Sequence, residues 1–322
     1  MSCRMAQMTR CSSAVLLFVS GLAFAQAPQA TPPAVPGSGR GGFVPVVIGP
    51  PAPVPPEVAI PRPTPYEIAQ VNQAISNWIA SDQSAAQPLI KKYAPLLLLQ
   101  PPRFNVAATY TQTQQRMGPR HERFVEIAKK GDIDLLLDGD SITDWWALND
   151  ENKAMFEKYF GGMKTANFAI AGDTTQGVLW GLKNGEGQGF QPKAIMLMIG
   201  TNNTGGTNNT GTMTAAEIAE GIGAVVQEMR TDFPQAKILL LAVFPRGNPG
   251  DSVRDKIAEI NRIVARLDDQ RHVFYLDIGA KFLDDRGYFL PGTFRPDNLH
   301  PVAKGYDIWG AAVKDKIAEL MK

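Results

Sequence analysis

The second half of the chain alternates short apolar runs with amphipathic helical patterns, and this alternation restricts the fold more than any other feature. In the helical patterns apolar side chains recur every three or four residues, as at Ile218, Ile222 and Val225. The runs between them lack polar alternation, which is typical of parallel strands buried on both faces. The runs are Ile133–Leu137, Asn167–Ile170, Ile195–Ile199, Ile238–Val243 and Val273–Leu276. Five strands alternating with helices predict a doubly wound α/β domain around a parallel sheet.

The N-terminal segment, residues 1–25, has the pattern of an export signal. Arg4 and Arg10 precede an apolar run that closes with Ala23-Phe24-Ala25, the small-x-small motif of a secretory cleavage site. The run is shorter than the roughly 20 residues that a membrane-spanning helix requires. The pattern predicts a cleaved signal peptide and a secreted or periplasmic protein, with an uncleaved membrane anchor as the alternative.

Composition divides the remaining chain into three segments. Residues 26–65 hold 13 of the 25 prolines, which remove backbone donors and fix φ, so they predict an extended linker. Residues 66–117 predict a small helical appendage, because apolar side chains recur at helical spacing from Ile68 to Ile79 before further prolines interrupt the pattern. Residues 118–322 contain the strand and helix alternation and predict the main α/β domain.

Charge and cysteine content exclude several classes of function. The chain has 32 Lys and Arg against 31 Asp and Glu, without a dense basic run, so neither a nucleic-acid partner nor stable membrane insertion is expected. Cys3 and Cys11 are the only cysteines, and both would leave with the signal peptide. We therefore expect no disulfide, thiol nucleophile or cysteine metal ligand in the mature chain. The sequence neither favours nor excludes a homodimer.

In doubly wound sheets ligands bind beyond the carboxyl ends of the strands, so the residues after the apolar runs are the candidates for chemistry. The first run continues into Asp138-Gly139-Asp140-Ser141. A serine hydroxyl is a good nucleophile only when a neighbouring base takes its proton. Of the three histidines, His121 lies on a predicted surface helix, His272 precedes the last strand at the wrong end, and His300 lies in a loop before the last helix. His300 alone is placed to meet Ser141.

The loop that carries His300 has a carboxylate three residues earlier, at Asp297. In a turn before a helix this carboxylate can accept a hydrogen bond from the imidazole Nδ1–H, which leaves Nε2 facing the serine as a general base requires. Pro301 suits the first position of the helix because its φ is already helical. The alternative is that Asp297 only caps the helix.

Two further strand ends carry groups that can stabilise an oxyanion. Gly172 follows the second run, where a glycine lets the backbone approach a substrate, and Asn202 follows the third with its amide side chain. Together with the Ser141 backbone N–H they predict three converging donors, each worth roughly 3 kcal/mol by analogy with the removal of one such donor elsewhere. Ordinary turn chemistry is the alternative for Gly172 and Asn202.

Taken together, these strand ends resemble the four sequence blocks of the SGNH (GDSL-type) hydrolases. The four matching blocks are Gly139-Asp140-Ser141, Gly172, Gly200-x-Asn202 and Asp297-x-x-His300. Within that superfamily, Gly172-Asp173-Thr174-Thr175-Gln176 and Gly200-Thr201-Asn202-Asn203 are similar to the catalytic subunits of intracellular platelet-activating-factor acetylhydrolase. The resemblance covers roughly residues 118 to 322. Each block alone is weak, whereas the four together are specific.

The resemblance implies a flavodoxin-like three-layer α/β/α sandwich without a metal or organic cofactor. It implies Ser141 as the nucleophile, His300 as general base and then acid, and Asp297 as the orienting carboxylate. The oxyanion hole would consist of the Ser141 and Gly172 backbone N–H groups and the Asn202 side chain. The Gly-x-Ser-x-Gly elbow of α/β-hydrolases is absent, which disfavours that competing fold.

Two positions depart from the common pattern of the superfamily. Asn203 follows the block-three asparagine where many members have Asp, although the acetylhydrolase-like branch shares this Asn. Asp138 precedes the Gly-Asp-Ser block where an apolar residue is frequent, so a carboxylate lies close to the turn of the nucleophile.

The motif Thr-Asn-Asn-Thr-Gly occurs twice after the third run, at 201–205 and 207–211. The repeat either forms a rim for substrate entry or is a neutral duplication.

The sequence therefore predicts a secreted serine esterase that cleaves short acyl groups, above all acetyl, from oxygen esters. The preference for short chains follows from the resemblance alone. Acylated saccharides are the first substrate class, since an exported enzyme would meet them, and a lysophospholipid or platelet-activating-factor-type lipid ester is the second. Transfer of the acyl group to a sugar hydroxyl and a binding module without catalysis are further alternatives. Trp145, Trp146 and Trp180 either stack on a sugar ring or belong to the core.

Overall fold

A computed structural model describes residues 46–205 and 213–322 of the chain. The predicted signal peptide, residues 26–45 of the predicted linker and the second Thr-Asn-Asn-Thr-Gly copy lie outside these residues.

Parallel strands form one sheet in the order β2-β1-β3-β4-β5, as predicted for a doubly wound domain. The strands are β1 (Leu135–Gly139), β2 (Thr165–Asn167), β3 (Ala194–Met198), β4 (Lys237–Leu241) and β5 (Val273–Leu276). The strand β2 begins two residues earlier than the predicted run. Beyond the end of β2, the backbone N–H groups of Phe168 and Ile170 still donate hydrogen bonds to the carbonyls of Leu137 and Gly139. The segment after β2 therefore stays paired with β1 up to the edge of the sheet. The order of the strands places a topological switch point between β1 and β3, where such sheets bind ligands.

Helices cover both faces of the sheet and complete the three predicted layers. They are α1 (Pro65–Ser81), α2 (Gln87–Leu97), α3 (Pro119–Lys130), α4 (Ser141–Asp144), α5 (Asp150–Phe160), α6 (Thr175–Gly181), α7 (Ala215–Asp232), α8 (Ser252–Val264) and α9 (Ala303–Leu320). Alternate side chains of each strand enter different cores. Leu136 lies in the core that includes α3, α6, α7 and α8, whereas Leu135 and Leu137 lie in the core that includes α5 and α9.

The predicted helical appendage consists of α1 and α2, which pack on each other. The first helix begins with a capping box, in which Thr64 and Glu67 satisfy each other's backbone N–H groups. Ile79 is the only buried residue of the two helices. Residues 105–116, which the sequence assigned to the same appendage, instead pack into the sandwich, where Ala107 and Arg116 are fully buried.

The part of the predicted linker that the structure describes is extended but packed against the domain. Pro51 forms an antiparallel bridge with Thr109, and Val58 is buried. Arg62 forms a bidentate ion pair with Glu220 of α7, with N–O distances of 2.7 and 2.8 Å. These contacts tie the segment before α1 to the sandwich. Within residues 46–205 and 213–322, no helix combines the length and apolarity that crossing a membrane requires.

Candidate active site

Ser141 lies at the end of β1, at the predicted edge of the sheet. The strand ends at Gly139, where a Cβ atom would lie 2.3 Å from the Met198 carbonyl oxygen, so only glycine fits between β1 and β3. Asp140 then caps α4 by accepting a hydrogen bond of 3.0 Å from the Ile142 N–H. Ser141 is the first residue of this helix, where backbone N–H groups have no acceptor within the helix.

The structure brings the three predicted triad residues together in one hydrogen-bonded chain. The Ser141 Oγ lies 2.9 Å from His300 Nε2, and His300 Nδ1 lies 2.7 Å from Asp297 Oδ2. The second carboxylate oxygen of Asp297 accepts hydrogen bonds of 3.0 Å from the backbone N–H groups of Leu299 and His300. This is the arrangement that lets an imidazole accept a proton from a serine hydroxyl.

Electrostatics keep the Asp297 carboxylate ionised. Partial burial opposes the charged form, but the hydrogen bonds from the His300 side chain and the two backbone N–H groups outweigh it and lower the pKa of Asp297. The loop itself is a tight hairpin, in which the Arg295 N–H donates to the His300 carbonyl at 2.8 Å. Pro301 pairs with Phe294 in this hairpin, and α9 begins at Ala303. The predicted place of Pro301 at the first helical position is therefore wrong.

Hydrogen bonds connect the loops that carry the predicted oxyanion residues. Gly172 has φ of +81°, a left-handed conformation that favours glycine. The Asn202 side chain donates to the carbonyl of Asp173 at 2.8 Å, which links the loop after β3 to the Gly172 loop. A primary amide has two N–H donors, and the predicted oxyanion contact requires the other one. The Ala171 N–H also donates to Asp144 of α4, at 2.9 Å, so the Gly172 loop is tied to the helix that begins at Ser141.

Asn203, one of the two departures from the common family pattern, forms side-chain hydrogen bonds with the start of α6. Its side-chain oxygen accepts from the Thr175 N–H at 3.1 Å, and its amide nitrogen donates to Gln176 at 3.1 Å. Both partners lie in the first turn of α6. The residue thus holds the loop after β3 against the start of α6, next to the candidate oxyanion donors.

A buried ionic cluster that the sequence did not reveal lies beneath these loops. Arg116 is fully buried and binds Asp173 at 2.7 Å, Asp138 at 3.3 Å and Glu186. The second oxygen of Glu186 lies 2.7 Å from Nδ1 of His121. His121 was expected on a surface helix, but its side chain is only 15% exposed. The one available signal was Asp138, a carboxylate at the end of an otherwise apolar run.

Two buried carboxylates flank the Gly-Asp-Ser turn. Burial raises the pKa of Asp138 to about 7, although Arg116 lowers it. Burial likewise raises the pKa of Asp140 to about 7, against the hydrogen bond from the Ile142 N–H. Both carboxylates are therefore harder to ionise than exposed aspartates. Within the described part of the chain, no three His, Cys, Asp or Glu side chains are grouped to hold a metal.

The three tryptophans near the site have different surroundings. Trp146 is fully buried in the core with α5 and α9. Trp180 packs at a tilt against His121 of the buried ionic cluster. Trp145 is stacked on the ring of His300. Two of the three indoles therefore contact histidines of the chain.

Comparison with known proteins agrees with this fold. The family model of the GDSL-like lipase/acylhydrolases matches residues 139–308. Platelet-activating factor acetylhydrolase IB subunit alpha2 of Gallus gallus is 37% identical over 182 residues, which cover 56% of this chain and 75% of the relative. The Rattus norvegicus protein of the same name is 37% identical over 201 residues, with 62% and 82% covered.

A solved structure from Streptococcus pneumonia, named for platelet activating factor, has a TM-score of 0.51 and 20% identity and covers 77% of this chain and 99% of its own. At this identity the likeness supports the fold alone. The chain belongs to the GDSL-like lipase/acylhydrolase family and is an ester-cleaving hydrolase. The resemblance to SGNH hydrolases and to the acetylhydrolase branch, predicted from the sequence blocks, is confirmed.

Proposed function

We propose that the protein is a serine esterase that uses Ser141, His300 and Asp297 as its catalytic triad. The hydrogen-bonded chain from the Ser141 hydroxyl through the His300 imidazole to the Asp297 carboxylate carries this proposal. The Ser141 Oγ forms a bond to the acyl carbon while its proton passes to His300 Nε2, and the carbonyl electron pair moves to the oxygen. Collapse of this intermediate expels the alcohol, which takes the proton from His300 and leaves an acyl-enzyme.

Water completes the reaction in the second half. His300 takes a proton from the attacking water, the second tetrahedral intermediate forms, and the acid leaves as the Ser141 oxygen regains the proton. The negative oxygen of each intermediate would be held by the Ser141 and Gly172 backbone N–H groups and the Asn202 amide. Three donors on three different strand ends suit this role, because preorganised donors need no rearrangement when the charge develops.

We further propose that the acyl group is short, above all acetyl. The relatives that share 37% identity are named acetylhydrolases, which supports this preference. An acetylated saccharide is the proposed substrate, because the N-terminal segment predicts an exported enzyme and such esters occur outside the cell. Those same relatives are named for platelet-activating factor, which favours a lipid ester as the second candidate.

The test uses initial rates on p-nitrophenyl acetate, butyrate, octanoate and palmitate, with Ser141→Ala measured in parallel. We expect activity that is highest on acetate and absent in Ser141→Ala, and then release of acetate from acetylated oligosaccharides. A preference for octanoate or palmitate would favour the lipid ester. Turnover that survives Ser141→Ala would contradict the triad.

A further inference from the structure

Trp145 connects the helix of the nucleophile to the loop of the base. It follows α4 directly, and its indole is stacked on the His300 ring with 4.0 Å between ring centroids and 27° between ring planes. The same indole contacts Arg295, whose guanidinium carbon lies 4.8 Å from the ring centroid. His300 and Arg295 belong to one hairpin, joined by the backbone hydrogen bond between them. Trp145 therefore packs against two side chains of the loop that carries the base.

Hydrogen bonds hold both ring nitrogens of His300, Nδ1 to Asp297 and Nε2 to Ser141, and the Cβ atom holds the ring at Cγ. The Asp297 side chain is 43% exposed, and water competes for its carboxylate. The imidazole, by contrast, is only 14% exposed, and the stacked indole covers one of its faces. The stacked indole is thus the side chain that supports the face of the ring and opposes its movement out of the plane that the two hydrogen bonds require.

We propose that Trp145 is a positioning residue for His300, an inference that rests on the proposed serine-esterase mechanism. The indole holds the imidazole plane so that Nε2 stays directed at the Ser141 hydroxyl. The direction of Nε2 matters when the proton of the serine or of water is transferred, and not when the substrate binds. The contact should therefore raise kcat and leave KM nearly unchanged.

Arg295 restrains the indole in this arrangement. Within the part of the chain that the structure describes, Arg295 forms no ion pair, and its guanidinium lies over the Trp145 ring. Arg295 and His300 lie on the same loop. When this loop moves, the contact with Arg295 moves the Trp145 indole together with the His300 imidazole. Replacing Arg295 by Met keeps an unbranched apolar side chain against the ring and should lower kcat less than loss of the indole itself.

The experiment measures kcat and KM of the full chain on p-nitrophenyl acetate for the wild type, Trp145→Phe, Trp145→Leu and the control Trp78→Leu. The control removes a tryptophan from α1 that is 54% exposed. We expect Trp145→Leu to lower kcat about tenfold, less than the roughly 100-fold that a misplacement of about 1 Å can cost, with KM nearly unchanged. Trp145→Phe keeps an aromatic face and should recover most of the lost kcat. Trp78→Leu should match the wild type.

Thermal unfolding of each variant separates loss of fold from loss of positioning. If Trp145→Leu does not fold, Trp145→Met replaces it, since the flexible Met side chain fills irregular space without a ring. A rise in KM with unchanged kcat would make Trp145 a substrate contact and overturn the proposal. Equal losses in the Phe and Leu variants, or no loss in either, would overturn it as well.

The serine-esterase mechanism is tested separately in the same assay. If Ser141→Ala retains wild-type turnover, the mechanism fails, whatever the Trp145 variants do. If Ser141→Ala is inactive and the Trp145 variants behave like the wild type, the inference about Trp145 alone fails.

Discussion

Replacing Asp138 by Asn should make the stability of the protein less dependent on pH. The Asp138 side chain is fully buried, and its pKa is raised to about 7 by burial. One carboxylate oxygen accepts from the Gly139 N–H at 2.8 Å and faces Arg116, whereas Oδ2 has no hydrogen-bond partner. Asn has the same shape and keeps the accepting oxygen, but it never carries the charge.

The sign of the effect follows from proton binding. Because the pKa of Asp138 is higher in the folded protein than its ordinary value of 3.8, the folded state binds more protons between these two values. Stability therefore falls as the pH rises through this window. For one group with these two pKa values, the free energy of unfolding falls by about 3 kcal/mol between about pH 5 and pH 8. Three carboxylates share Arg116, so this figure is an upper value for Asp138.

Urea unfolding at both pH values measures this effect directly. We expect the free energy of unfolding of Asp138→Asn, relative to the wild type, to rise by up to about 3 kcal/mol between about pH 5 and pH 8. Asp140 and Asp232, whose pKa is also raised to about 7 by burial, are present in both proteins and cancel in the difference. Asp132→Asn, at a side chain that is 69% exposed, is the control. A difference between Asp138→Asn and wild type that does not change with pH would refute the reasoning.

Four further predictions concern the site and its support. Asp297→Asn should lower kcat by roughly 1000-fold or more in the p-nitrophenyl acetate assay, because the imidazole loses the carboxylate that orients it. Asn202→Ala should lower kcat roughly 100-fold with little change in KM, and an unchanged kcat would remove it from the oxyanion hole. Arg62→Ala removes the cation of the buried Glu220 and should cost about 1 to 2 kcal/mol in urea unfolding, because Arg62 is half exposed and Asn105 still donates to Glu220. Activity should survive EDTA, and a loss that a divalent ion restores would contradict a metal-free mechanism.

The elements of the sheet could be predicted because their patterns are local. A strand buried on both faces needs a continuous apolar run, and an amphipathic helix needs apolar residues at helical spacing. The edges of elements were less accurate, as for β2, since hydrogen bonds to β1 decide where a short edge strand ends. The place of residues 105–116 was also missed. Their burial against α6 and α7 depends on contacts with residues about 60 to 110 positions later.

Some contacts of the candidate site could likewise be predicted from the sequence, and others could not. Asp297 and His300 lie three residues apart in one turn, so their hydrogen bond was visible in the spacing. Ser141 could be assigned to the same place because it follows a buried strand. By contrast, the contact between Trp145 and His300 joins residues from different elements, and no motif predicts it.

The amino-acid sequence by itself determined the order of elements, the ester hydrolase family and the residues at the strand ends, because each depends on neighbours within a few positions. Only the tertiary structure decided which distant side chains share one environment. The Arg116 guanidinium binds carboxylates 22, 57 and 70 residues away in the chain. The desolvation that raises the pKa of Asp138 comes from the packing around it. Burial and electrostatics depend on distances in space, and these distances exist only after the sheet and its two helical layers have assembled.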